Sequence, residues 1–361
     1  MNSNRPSGPR QLTAATLAIA TPLGLGLSLV MATPAQARVN VHCAGGASSR
    51  LGPGDAWSAG VASVDPIVSR GTPVSMHEHQ FFGNLDLLNM ARPDLANYAD
   101  MVEPTDKTSC NIAKDTAAYW APNLRFTSGP NAGKLVPIMR YEMYYQSWND
   151  KKTDPAKATR PFPKDLRMVA GNPNAMSEAD MNTDHVNFTC GNFSSKSARE
   201  GFRFKTPQAA DCSTARNLKE GENRFLTAIV HFPTCWSGRL NDHTVDGNTA
   251  DFMGVPGAQN NQLAYVTPGG RCPAGFPVKL PKARFTWQWD YRGDGTDIAF
   301  SSGMGEAKGK GFTFHADFWN TWNQSVLIKT VNYCINTTRP EESLHIGNTP
   351  RKPGLCGIPV P

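Results

Sequence analysis

Glycine and proline punctuate this chain too often for long helices. Its 361 residues include 32 glycines and 28 prolines, and the apolar segments between them are short. Such punctuation favours loops and strands. The segments alternate as half-buried strands do. Phe285, Trp287 and Trp289 face one way, against Arg284, Thr286 and Gln288. Residues 312–322, FTFHADFWNTW, alternate again. Phe225 to Phe232 is the most continuous apolar run after the N-terminal region and reads as a central strand. Leu135 to Tyr145, Leu166 to Ala170 and Val186 to Cys190 read as further strands, and Ile67-Val68 as a short buried one. Crossover helices for an α/β fold are missing. The expected fold is mainly β, a sandwich or jelly-roll-like core with long disulfide-tied loops.

The first 37 residues read as a secretory signal peptide. Arg5 and Arg10 precede an apolar stretch from Leu12 to Val30, and Ala35-Gln36-Ala37 is a small-x-small cleavage site. Cleavage leaves residues 38–361 as one secreted domain, its core about 61–340, ending in a Pro/Gly-rich tail. No later stretch is long and apolar enough for a membrane helix, so no integral membrane segment is expected after cleavage. All eight cysteines lie in this part: Cys43, Cys110, Cys190, Cys212, Cys235, Cys272, Cys334 and Cys356. An even number in a secreted chain points to four disulfides, with 105 pairings open. Cys43 and Cys356, near the two ends, suggest a clasp made directly or through neighbours. The +6 formal charge of the whole chain is mild and spread along the sequence. It gives no nucleic-acid footprint and weakly favours an anionic wall polymer as neighbour.

The chemistry concentrates around residues 65–84, DPIVSRGTPVSMHEHQFFGN. His77 and His79, at i and i+2, fall on one face of an extended segment, while Glu78 faces the other way. His315-Ala316-Asp317 repeats the pattern far downstream. If the two stretches meet in one polar cleft, His77, His79 and His315 can ligate a divalent metal or handle protons, and Asp317 can orient an imidazole or accept a proton. Asp65 is among several carboxylates suited by local setting to metal-free hydrolysis, and none of them is fixed as a pair. Tyr119, Trp120 and Trp319, with Asn84 and Asn320, are the residues proposed to hold a sugar, since aromatic rings suit both sugar faces and cores. There is no G-x-S-x-G elbow, P-loop, dinucleotide fingerprint or C-x-x-C pair. A monomer that binds or cleaves cell-wall or environmental polysaccharide is expected. The alternatives are a non-catalytic carbohydrate-binding or cell-surface structural protein, or a metal-binding protein of other function.

The motifs together resemble the domain of unknown function 1996 family, found in secreted proteins of fungi and actinobacteria. The matching stretches are Asp65-Pro66-Ile67-Val68, Gly71 to Ser75, His77-x-His79, Phe82-Gly83, Thr108 to Cys110, and Ala118-Tyr119-Trp120-x-Pro122. Cys235-Trp236-x-Gly238 and the run from Gly311 through His315, Asp317, Asn320 and Trp322 to Cys334 complete them. The resemblance implies an extracellular protein with a shared polar cleft and implies no particular reaction. The chain departs from the family pattern after Gly238, where Arg239-Leu240-Asn241-Asp242-His243-Thr244-Val245-Asp246 stands in place of an Asn-Leu-Asp and a Ser-His pair; His243 falls in that region as a ligand candidate that the resemblance does not secure.

Overall fold

A computed structural model describes residues 38–44, 60–102, 108–110, 112, 115–148, 158–181, 185–191, 204–213, 225–240, 262–303 and 311–336. The expected signal peptide, His243 and Cys356 lie outside these residues. Fifteen strands are described: β1 Arg38–Ala44, β2 Gly60–Ala62, β3 His79–Gly83, β4 Ala118–Pro122, β5 Leu124–Phe126, β6 Ile138–Gln146, β7 Arg167–Gly171, β8 Val186–Cys190, β9 Leu226–His231, β10 Cys235–Trp236, β11 Leu263–Ala264, β12 Val278–Lys279, β13 Lys282–Trp289, β14 Ile298–Phe300 and β15 His315–Trp319. The protein is mainly β, as the punctuation and alternation require. Two five-stranded sheets dominate, with orders β1-β6-β13-β9-β8 and β2-β3-β4-β15-β7; β11-β10-β12 and β14-β5 are smaller. Strand pairs in both large sheets are antiparallel.

The main core forms where side chains of the two large sheets meet. Phe82 of β3 stacks on Tyr141 of β6, with ring centroids 4.4 Å apart. Tyr119 of β4 meets Phe285 of β13 at 5.4 Å, and Phe232, just after β9, reaches Phe318 of β15 at 6.2 Å. Alternation along each strand sends these rings inward. The opposite face of the β3–β4–β15 sheet is also apolar. Phe81, Trp120, Val169 and Trp319 form a second buried cluster there with Val64, Ile67, Leu87 and Met101. In the other large sheet, strand β13 departs from the half-buried expectation: residues 283–289 are buried on both faces. The Ile67-Val68 segment is a turn rather than a strand, because Asp65 Oδ1 accepts both of their amide N–H groups at 3.0 Å. After β15 the chain turns helical over Gln324–Thr330, capped at its N-terminus by Asn323, whose side chain accepts from the Val326 amide.

Three disulfides tie the described loops, Cys43–Cys110, Cys190–Cys212 and Cys235–Cys272. Cys334 is also disulfide-bonded, and its partner lies outside the described residues. A direct clasp between Cys43 and Cys356 is thus corrected: Cys43 is committed to Cys110, which sits just before β4.

One polar chain crosses the main core. The Tyr119 hydroxyl donates to the Asp115 carboxyl at 2.8 Å, Tyr145 donates to Tyr119 at 2.6 Å, and the Trp322 indole N–H donates to Tyr145 at 3.1 Å. Burial pushes the Asp115 carboxyl up to about 8, against the hydrogen bonds from Tyr119 and the Ala117 amide. Its folded value lies above the unfolded value near 4, so the folded state binds the extra proton. Its contribution to stability is complete below about pH 4 and is lost as the pH rises toward about 8. Asp115→Asn is expected to flatten that part of the stability profile. Chemical denaturation of both proteins across pH 4–8 measures it, and equal slopes would refute the assignment.

Candidate metal centre

The centre grows out of strand register. Phe81 pairs with Trp120, and Trp120 with Asp317, so these three residues form one row across the sheet. Strands β3 and β15 run parallel on either side of β4. His79 and His315, each two residues earlier on its strand, therefore fall together in the next row, on the face that carries the second core cluster. His79 pairs with Pro122 of β4, and His315 with Gly171 of β7. Strands two apart in a sheet are about 9.6 Å apart. The imidazoles lean across the intervening strand and close that gap: their Nε2 atoms are 3.5 Å apart. His77 joins from the bend before β3, its ring centroid 4.3 Å from that of His79 and 5.1 Å from that of His315. One ligand atom from each of the three histidines lies within 4.8 Å of the others. His79 and His315 are buried and His77 is half-buried, so His77 marks the side open to solvent.

Backbone carbonyls fix the chemistry of the two inner rings. His79 Nδ1 lies 3.0 Å from the Val64 carbonyl, and His315 Nδ1 lies 2.8 Å from the Thr313 carbonyl. A carbonyl only accepts, so each Nδ1 carries the proton and each neutral ring turns its Nε2 lone pair to the other. Two lone pairs facing at 3.5 Å repel unless a cation lies between them. Tetrahedral zinc at about 2.0–2.1 Å from nitrogen would set two ligands about 3.3–3.4 Å apart. The observed spacing fits a first-row divalent ion almost without movement.

Charge points the same way. Burial first, then His77 and His315, hold His79 well below the usual imidazole range; burial and His77 pull His315 down to about 3. Burial pushes Asp65 up to about 6 against the Val68 and Ile67 amides, and burial with Asp65 nearby raises Asp317 well above the carboxylate range. Without a cation, burial shifts His79, His315, Asp65 and Asp317 toward their neutral forms. A bound divalent ion reverses that preference for the carboxylates.

The surroundings hold the centre in place. Arg167 donates from Nη1 to the Pro66 carbonyl at 3.1 Å and stacks over Trp319 at 4.1 Å, which fastens the Asp65 turn to the sheet. Glu78 points away, as alternation requires, and pairs with Arg125 and Asn123. Gly171 lies beside His315 with φ +96°; a Cβ there would sit 2.4 Å from the Phe314 carbonyl oxygen and 2.8 Å from the His315 Cα. Gly171→Ala is expected to cost about 1–3 kcal/mol through backbone strain and to weaken metal affinity by displacing His315. Thermal unfolding together with metal titration tests this, and wild-type behaviour in both would refute it.

The residues expected to hold a sugar lie elsewhere. Tyr119 is spent in the Asp115 network, and Trp120 is stacked on Phe81 at 5.3 Å. Trp319 packs under Arg167 and donates its N–H to Asp165 at 2.6 Å. All three are fully buried, so no ring face remains for a ligand and that expectation is corrected. Asn84 donates to the Met101 and Thr116 carbonyls and accepts from the Asp86 and Leu87 amides, which shapes a loop. Buried Asn320 donates to the Phe162 and Pro163 carbonyls. Apolar residues on both sheet faces consume the aromatic side chains, which a single alternating strand cannot reveal. Sequence reading also missed Val64 and Thr313, which act through backbone carbonyls and leave no side-chain signal.

Among the described residues no helix is long and apolar enough to cross a membrane. The family model described as "Domain of unknown function (DUF1996)" matches residues 65–322, a span that includes His77, His79 and His315. No curated protein and no solved structure matches the chain.

Proposed function

The chain belongs to the DUF1996 family, and on that footing we propose that it is a secreted, monomeric, metal-dependent hydrolase of cell-wall or environmental polysaccharide. The observation that carries the metal reading is the pair of Nε2 lone pairs held face to face at 3.5 Å. His79 and His315 would hold the ion through Nε2, and His77 would reach it from the solvent side. A divalent ion in such a place supplies a Lewis acid and a water acidic enough to give hydroxide near neutral pH. Val64 and Thr313 keep both inner imidazoles in the ligating tautomer.

Three disulfides support an oxidising compartment. Val74 and Met76, close to His77 in sequence, are exposed and offer apolar contact to the C–H faces of sugar rings. A ring-platform binding module has less support, because Trp120 and Trp319 are buried. For the fold, we read the two large sheets as the layers of a sandwich.

The test uses purified full-length protein loaded with zinc, manganese or cobalt and incubated with β-glucan, cellulose, chitin and anionic wall polymers. New reducing ends are expected from at least one polymer, and none from His79→Ala or His315→Ala. Release that persists in both variants, or no release from any polymer, overturns the hydrolase reading.

A further inference from the structure

Two carboxyl groups lie beside the histidine cluster, each next to a different histidine. Asp317 follows His315 by two residues on β15 and shares its face; its Oδ2 lies 3.7 Å from His315 Nε2. Asp65 Oδ2 lies 4.0 Å from His79 Nε2. Neither distance is a hydrogen bond. The carboxylates therefore do not orient the imidazoles. The carbonyls of Val64 and Thr313 already do so from the other nitrogen, which corrects the orienting role expected for Asp317.

Asp317 is fully buried, and neither of its oxygens has a hydrogen-bond partner among the described residues. A buried carboxyl without a donor or acceptor is costly in either protonation state. Asp65 is built differently. Its Oδ1 is committed to the Ile67 and Val68 amides, which leaves Oδ2 directed toward His79.

We infer that Asp65 and Asp317 complete the centre as oxygen donors, giving a cation site of three imidazoles and two carboxylates; this rests on the metal reading of the histidine cluster. The two carboxylates balance the charge of one divalent ion, so the occupied site is neutral overall although it is buried. Mixed imidazole and carboxylate donors suit manganese, iron, cobalt or zinc. Calcium and magnesium favour oxygen shells, and soft Cu(I) favours sulfur.

Full-length protein, with its disulfides intact, is titrated with zinc and with cobalt. Asp65→Asn and Asp317→Asn keep shape and remove charge. Each is expected to weaken affinity at least 10-fold, with the cobalt absorption spectrum altered. A second measurement needs no variant: metal-induced infrared difference spectra of wild type labelled with ¹³C at the aspartate carboxyl. Carboxylate bands that shift on metal addition are expected. Wild-type protein that binds one ion, with both variants within 3-fold of its affinity and no shifted aspartate band, overturns this inference and leaves the histidine site standing. Wild-type protein that binds no ion overturns both.

Discussion

Thermal unfolding of the full-length chain should shift upward by roughly 6 °C when a fitting divalent ion is supplied at about 1,000 times its dissociation constant. An ion that binds only the folded state contributes about 4.1 kcal/mol at that ratio, and at about 2.1 cal/mol/K of unfolding entropy per residue each kcal/mol moves Tm by about 1.5 °C in a domain of more than 300 residues. The shift should vanish in His79→Ala. That change removes one of the two nitrogens held 3.5 Å apart and the ring bound to the Val64 carbonyl. The metal-free protein should tolerate it better than most core truncations, because the same change relieves two opposed lone pairs. Calorimetry with ion and with chelator decides the matter. A wild-type Tm indifferent to every first-row ion, or a His79→Ala protein with the full shift, would show that the cluster holds no ion.

The second large effect belongs to the main core. Phe285 on β13 lies with its ring centroid 4.3 Å from Phe232, 5.4 Å from Tyr119 and 5.7 Å from Tyr141. It is fully buried and links the two large sheets. Phe285→Ala leaves a cavity that such close packing cannot refill, and the expected loss is about 3–5 kcal/mol. Urea denaturation measures it. The metal centre lies on the far face of the β3–β4–β15 sheet, so the folded variant should keep its ion affinity. A loss below about 1 kcal/mol would mean that the sheets are held together elsewhere.

Much of the fold was legible from local pattern. Residues 226–231 and 282–289 are strands because β-branched and aromatic side chains recur between breakers, and β9 does lie inside its sheet. The alternation of β13 misled only about exposure. One face packs on the opposite sheet, while the other carries Arg284, Thr286 and Gln288, which are also buried. Cysteine count pointed to disulfides but not to Cys43–Cys110, because pairing depends on where the loops return. The turn at Ile67-Val68 went unread for a similar reason: two apolar residues resemble a strand until an aspartate oxygen caps their amides.

The sequence by itself determined which residues could bind a cation and that they would be offered in pairs. Histidine at i and i+2, and histidine followed by aspartate at i+2, project to one side of any extended segment. Only the tertiary structure decided that His79 and His315, 236 residues apart, share a row across one sheet with β4 between them. It alone turned the nearby tryptophans into packing and aimed two backbone carbonyls at the outer ring nitrogens. The physical reason is that side-chain direction follows from the local pleat, whereas strand order and register come from burying both faces of a sheet at once.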